Sequence, residues 1–302
     1  IDNIAPIFSS VTEGSAISAS ETDVDYQNFS DSLVISWSGS DGGSGISTYE
    51  YALGTTTGST DAITWTSTGT DTVATLTGLS LTEGATYYLS VRATDVAGNI
   101  SDPDTSDGIT IDLTAPAGTT VSDGTGADIS YSGSDTTLSA NWVAFTETVS
   151  GVQKYEYAIG TTSGGTELVT WTDNDTATSV TKSGLMLSNG TAYYISVRAT
   201  DNVGNVSTVA TADGITIDTD NPVLETPFEG SLTADRDYQN SATTLIVSWS
   251  GSDTASGIAM YEYALDFFFS GIPLSLVPWT SAETATADTA TGLSLVEGTT
   301  YY

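Results

Sequence analysis

The 302-residue chain contains no cysteine and no histidine. The first absence excludes disulfides and thiolate metal centres as sources of stability. The second removes the usual general base and the commonest transition-metal ligand. Basic side chains are scarce as well: 5 Lys and Arg stand against 38 Asp and Glu, giving a net charge of −33. Nucleic acid is thereby excluded as a partner, because its binding rests on cations that neutralise phosphates. No apolar run reaches the length a membrane helix needs, so this fragment is not expected to insert in a membrane. No stretch holds a helical period for more than one turn, which leaves an all-β reading.

What is present is a repeat. Residues 86–99, TYYLSVRATDVAGN, return as 192–205, AYYISVRATDNVGN, and their opening letters reappear at 300–302. Trp37, Trp142 and Trp249 lie 105 and 107 positions apart, and Tyr49, Tyr155 and Tyr261, each opening Tyr-Glu-Tyr-Ala, are 106 and 106 apart. A unit of that size buries its own core, so the copies are beads and not solenoid turns. Their limits are read as 1–111, 112–217 and 218–302, the third incomplete, in a chain expected to be an excerpt of a longer array.

Within copy one, period-two alternation predicts strands over 7–12, 32–38, 46–53, around Trp65, 72–76, from 86 and over 108–112. Leu33, Ile35 and Trp37 point inward, as do Tyr49, Tyr51 and Leu53, and Tyr87, Leu89, Val91 and Ala93. Seven short strands with turn chemistry between them predict a two-sheet sandwich.

These residues resemble the fibronectin type III family within the immunoglobulin-like β-sandwiches. The resemblance rests on the second-strand Trp, the third-strand tyrosines and the Leu-x-Leu-x-x-Gly-x-x-Tyr link (79–87, 185–193, 293–301). It implies that Tyr87, Tyr193 and Tyr301 are tyrosine-corner residues, tied back to the preceding link. The Arg-Ala-Thr-Asp-x-x-Gly-Asn ending further resembles tandem versions in large bacterial surface proteins and adhesins. That implies an extracellular or cell-surface location and a non-catalytic stalk or filament. Its partners would be neighbouring domains, other copies of the chain or a surface glycan or protein. The alternative is a set of accessory repeats in a secreted polysaccharide-degrading enzyme, or glycan binding by outward aromatics such as Trp65 and Trp171.

Nucleophilic catalysis has no base to support it. Glu50 and Glu156 face outward opposite Arg92 and Arg198 and are expected to form cross-strand ion pairs. The remaining acids gather at the linkers. Asp112 and Asp218 enter copies two and three, with Asp220 beside the latter. Glu147 and Asp253 follow the second strand, Asp201 follows the sixth, and Glu83 hangs from the preceding copy. Oxygen ligands without His or Cys suit calcium, which takes six to eight of them. Calcium at the junctions, held by Asp112, Glu147, Asp201, Glu83, Asp218, Asp220 and Asp253, is therefore one expectation. Turn-capping carboxylates are the other. Copy three also departs from its siblings at 266–279, DFFFSGIPLSLVPW, where an apolar stretch replaces a polar loop; it either folds on its own domain or contacts a neighbour.

Overall fold

The computed structural model describes residues 1–14, 23–118, 120–231, 234–269 and 272–302. Every regular element among them is a β-strand, and no helix is long and apolar enough to cross a membrane.

Copy one holds β1 (Ile7–Gly14), β2 (Tyr26–Gln27), β3 (Ser32–Ser40), β4 (Ile46–Gly54), β5 (Ile63–Gly69), β6 (Val73–Thr77), β7 (Thr86–Asp95), β8 (Asp104–Thr105) and β9 (Ile109–Ile111). One sheet runs β1-β3-β6; the other runs β2-β9-β7-β4-β5, with β8 on the flank of β7. All seven expected strands are there. Alternation explains the layering: Leu33, Ile35 and Trp37 from one sheet meet Tyr49, Tyr51, Leu53, Leu89 and Val91 from the other in one buried core. Trp37 lies 5.9 Å from the Tyr49 ring and 6.3 Å from the Tyr51 ring. Each fully buried aliphatic contributes roughly 1.5–3 kcal/mol before entropy is counted, so the core carries the module without cross-links.

Two features of the strand pairing lie outside what alternation predicts. The first strand changes sheets: β1 pairs antiparallel with β3, whereas β2 pairs parallel with β9. The last strand is likewise split, β8 covering Ser90 and Val91 and β9 covering Thr86 and Tyr87. Pairs of two residues are too short to show a period, so they leave no trace in the hydrophobic pattern.

Copy two repeats this order. Val121–Asp123, Thr137–Trp142 and Ser179–Ser183 form one sheet; Tyr131–Ser132, Ile215–Ile217, Ala192–Asp201, Val152–Gly160 and Val169–Asp173 form the other. By backbone contacts the chain divides into two compact units. The first comprises 1–128, 139–181 and 194–214; the second comprises 129–138, 182–193 and 215–302.

In copy three, Phe228–Ser231, Thr244–Ser248 and Ala287–Thr291 form the first sheet with Ala234–Asp235 at its edge. Tyr261–Phe269 and Ile272–Glu283 pair as a long hairpin. The apolar stretch thus extends a hairpin instead of forming a loop, with residues 270 and 271 outside the described set. Phe267 packs on Tyr301 at 5.6 Å and Phe268 on Tyr302 at 5.5 Å, while Ile272 and Trp279 stay exposed.

The tyrosine corners form as expected. The Tyr87 hydroxyl accepts from the Thr82 amide at 3.1 Å, Tyr193 from Ser188 at 3.0 Å and Tyr301 from Val296 at 2.8 Å.

Candidate functional site: the acidic linkers

Each linker aspartate reaches the loop between the second and third strands of the copy it enters. Asp2 accepts from the Ser44 amide at 2.5 Å, Asp112 from Ser150 at 3.2 Å and Asp218 from Ser256 at 2.9 Å. The loop's own acid winds it into a turn: Glu147 accepts from Val149 and Gly151 at 2.7 and 3.0 Å, and Asp253 from Ala255 and Gly257 at 3.2 and 2.8 Å. After the sixth strand, Asp201 accepts from the Val203 and Asn205 amides at 3.0 and 2.8 Å, and from the Asn205 side chain at 2.8 Å. Asn205 in turn donates to the Asp112 carbonyl at 3.0 Å. This Asp-x-x-x-Asn turn therefore anchors the linker while satisfying its own backbone.

The preceding copy grips the same linkers. Glu83 accepts from the Leu113 amide at 2.6 Å. Asn189 accepts from the Thr219 amide at 2.9 Å and donates to Asp220 at 2.9 Å. The seven acids named from the sequence are consequently dispersed over several contacts. Asp112, Glu147 and Asp201 come together, each offering one oxygen within 4.8 Å of the others'. Asp218 and Asp253 share the 254–257 turn, Glu83 binds the linker backbone, and Asp220 pairs with Asn189. Asp2, Asp41 and Asp95 repeat the first grouping in copy one.

Electrostatics follow these donors. The Ile4 and Ser44 amides hold the Asp2 carboxyl below its usual range, and the Ser256 hydroxyl and amide do the same for Asp218. Donors that bond only the ionised form lower its pKa.

On the face of the second sheet, Arg92 donates to Glu50 at 2.8 Å and Arg198 to Glu156 at 2.9 Å, as expected. Each guanidinium also covers an indole from the fourth strand of its copy, 4.4 Å above Trp65 and 4.5 Å above Trp171. A sugar cannot stack on the ring face an arginine occupies.

A second acidic grouping goes beyond the sequence expectations, and it sits where the first strand leaves its sheet. Glu13, Asp23 and Asp107 converge in copy one; Asp123, Asp128 and Asp213 converge in copy two. Glu13 and Asp123 are completely buried. Asp107 and Asp213 precede Gly108 and Gly214, whose φ angles are 98° and 109°. A side chain at either glycine would strike the Tyr88 or Tyr194 ring at 2.7 Å, so only glycine permits that turn. The sequence does carry a signal. Glu13-Gly14, Asp123-Gly124 and Glu229-Gly230 each precede an aspartate, at 23, 128 and 235. Loops of unequal length conceal it.

No protein-family model matches the chain. Exoglucanase B of Cellulomonas fimi is 32% identical over 240 residues, 75% of this chain and 20% of that protein. Chitinase A1 of Niallia circulans is 34% identical over 145 residues (47% and 19%), and endoglucanase B of Cellulomonas fimi 30% over 269 (86% and 23%). The chain thus spans about a fifth of the length of these relatives. Among solved structures, the fibronectin(III)-like modules of Clostridium thermocellum CbhA align at 16% identity and a TM-score of 0.35, covering 69% of this chain and 94% of that one. Domains of titin align at 14% and 0.43, covering 70% and 68%. Strand order decides what those scores do not: three strands face a second sheet in which the sixth strand lies between the third and the last. These are tandem fibronectin type III-like sandwiches.

Proposed function

We propose that the chain is a set of accessory repeats from an extracellular polysaccharide-degrading enzyme, acting as a braced spacer beside a catalytic domain elsewhere in the polypeptide. The observation that carries this reading is the similarity to an exoglucanase, a chitinase and an endoglucanase, confined to about a fifth of each. It favours accessory repeats over the adhesin stalk, which none of these relatives supports. The linker geometry suits a spacer, because each junction is held from upstream by Glu83 or Asn189 and from downstream by Asp112 or Asp218. Hydrogen bonds to linker backbone resist bending without turnover. The strongly negative surface discourages lateral clumping.

The test is an assay of the parent polypeptide on insoluble cellulose and chitin, with and without residues 1–302. Hydrolysis by the parent, weakened on insoluble substrate after deletion and retained on soluble oligosaccharide, is expected. A parent without glycosidase activity overturns the reading.

A further inference from the structure

The acids at the strand crossing are arranged unlike those at the linkers. In copy two, Asp123 is buried; one oxygen accepts from the Gly214 amide at 3.1 Å, and the other has no hydrogen-bond partner among the described residues. Asp128 and Asp213 stand beside it, both exposed, with one oxygen from each of the three within 4.8 Å of the others. In copy one, Glu13 is buried; one oxygen accepts from the Leu89 amide at 3.0 Å and from the Ser106 hydroxyl, and the other has no partner among the described residues. Asp23 and Asp107 complete that group.

The two groups are equivalent by register. Glu13 pairs with Ile35, two residues before Trp37, and Asp123 pairs with Ala140, two residues before Trp142. Asp23 accepts from the Glu13 amide as Asp128 accepts from Asp123. Copy three keeps the backbone register, with Glu229 opposite Val247 and Asp235 opposite Gly230.

Turn capping accounts for one oxygen of Asp23 and Asp128. It does not account for a carboxyl sealed from water with an oxygen unbonded, nor for two further acids placed against it. Burying an uncompensated carboxylate is costly, and like charges alongside raise the cost. Arg92, Lys154 and Arg198 are ion-paired with Glu50, Glu156 and Asp173, away from both groups, so these three cations do not compensate the ionised form. An all-oxygen donor set without His or Cys selects a hard divalent cation.

We propose that each crossing cluster binds one calcium ion, through Asp123, Asp128 and Asp213 in copy two and Glu13, Asp23 and Asp107 in copy one. The ion ties the departing end of the first strand to the turn before the last strand, closing the edge where both strands change partners. Three carboxylates supply part of the six to eight oxygens calcium takes, with water and backbone carbonyls for the rest. In the metal-free chain, burial lifts Glu13 to about 7 and Asp123 to about 6, with Asp23 and Asp107, and Asp128 and Asp213, adding to the rise.

The experiment is calorimetric titration of the whole EDTA-stripped chain with calcium chloride at pH 7. The native chain is compared with Asp213→Asn, Asp107→Asn and the double variant; both positions are exposed turn residues, so the fold survives. Each single variant is expected to lose one site and the double variant two. The calcium-induced rise in melting temperature should shrink in step. No binding by the native chain, or an unchanged number of sites in the double variant, overturns the proposal.

Discussion

Copy two contains two acidic triads, and they behave oppositely. At its entrance, all six oxygens of Asp112, Glu147 and Asp201 accept hydrogen bonds from nearby N–H groups. At the strand crossing, Asp123 keeps an oxygen with no partner among the described residues, inside a sealed position. Both triads bring three carboxylates within the same 4.8 Å. Proximity of acids therefore does not distinguish the two triads of copy two; the supply of N–H donors does. A carboxylate surrounded by amides is already neutralised by them, and one short of donors needs another source of positive charge.

The largest expected effect tests the brace. Asp112→Ala removes the acceptor for the Thr114 and Ser150 amides at a buried position. Each stranded amide costs about 1–3 kcal/mol, so a loss of roughly 4 kcal/mol is expected in urea unfolding of the whole chain. The loss should be equal in EDTA and in calcium. A loss confined to calcium would make the entrance triad a metal site and erase the contrast.

Next in size is the pH dependence of the metal-free chain. Folded Glu13 holds its proton up to about 7, against an ordinary value of 4.5. Between those pH values the folded state binds more protons than the unfolded one. The stabilising contribution is then complete below the ordinary value and is lost as pH rises through the folded one. The shift is worth about 3 kcal/mol. Unfolding followed across this range in EDTA should show that fall, and Glu13→Gln should flatten it. A native chain as stable above the folded value as below the ordinary one would contradict the buried, unpaired carboxyl.

How much of this is legible in the sequence depends on how far each signal extends. Trp37, Tyr49 and Tyr87 sit in strands of nine or ten residues, long enough to display alternation, and recur at nearly fixed spacing. Core, corners and the Glu50–Arg92 pair follow from that. The copy-two entrance acids are legible too, since Asp112 recurs in the linker, Glu147 precedes a Ser-Gly turn and Asp201 a Gly-Asn turn; that donors saturate these three is not. The Arg92–Trp65 stack depends on side-chain reach between strands and leaves no period. The crossing cluster is hidden because Glu13 and Asp123 fall just past the end of the alternating run. Their partners arrive over loops of different length, and pairings such as Tyr26–Gln27 with Thr110–Ile111 are too brief to announce a change of sheet.

A smaller effect concerns Tyr193. Its hydroxyl accepts from Ser188 at 3.0 Å, and Tyr193→Phe should cost about 1 kcal/mol, the net worth of one hydrogen bond. The mutation leaves both triads intact, so calcium titration should give the native number of sites. A change in that number would mean that the corner, and not the crossing acids, sets the ion's affinity.

The smallest expected effect is the most discriminating. Asp128→Asn retains a side-chain oxygen that can still accept from the Asp123 amide, as Asp128 does at 2.8 Å. If that hydrogen bond were the residue's whole purpose, the variant would match the native chain under every condition. If the charge serves a cation, the variant should be neutral to within about 0.5 kcal/mol in EDTA, the usual range for surface changes, and less stable than native in calcium. The comparison needs only melting curves of two proteins in two solutions. Equal curves in calcium would reduce the crossing triad to the same status as the entrance triad: carboxylates whose work is done entirely by backbone amides.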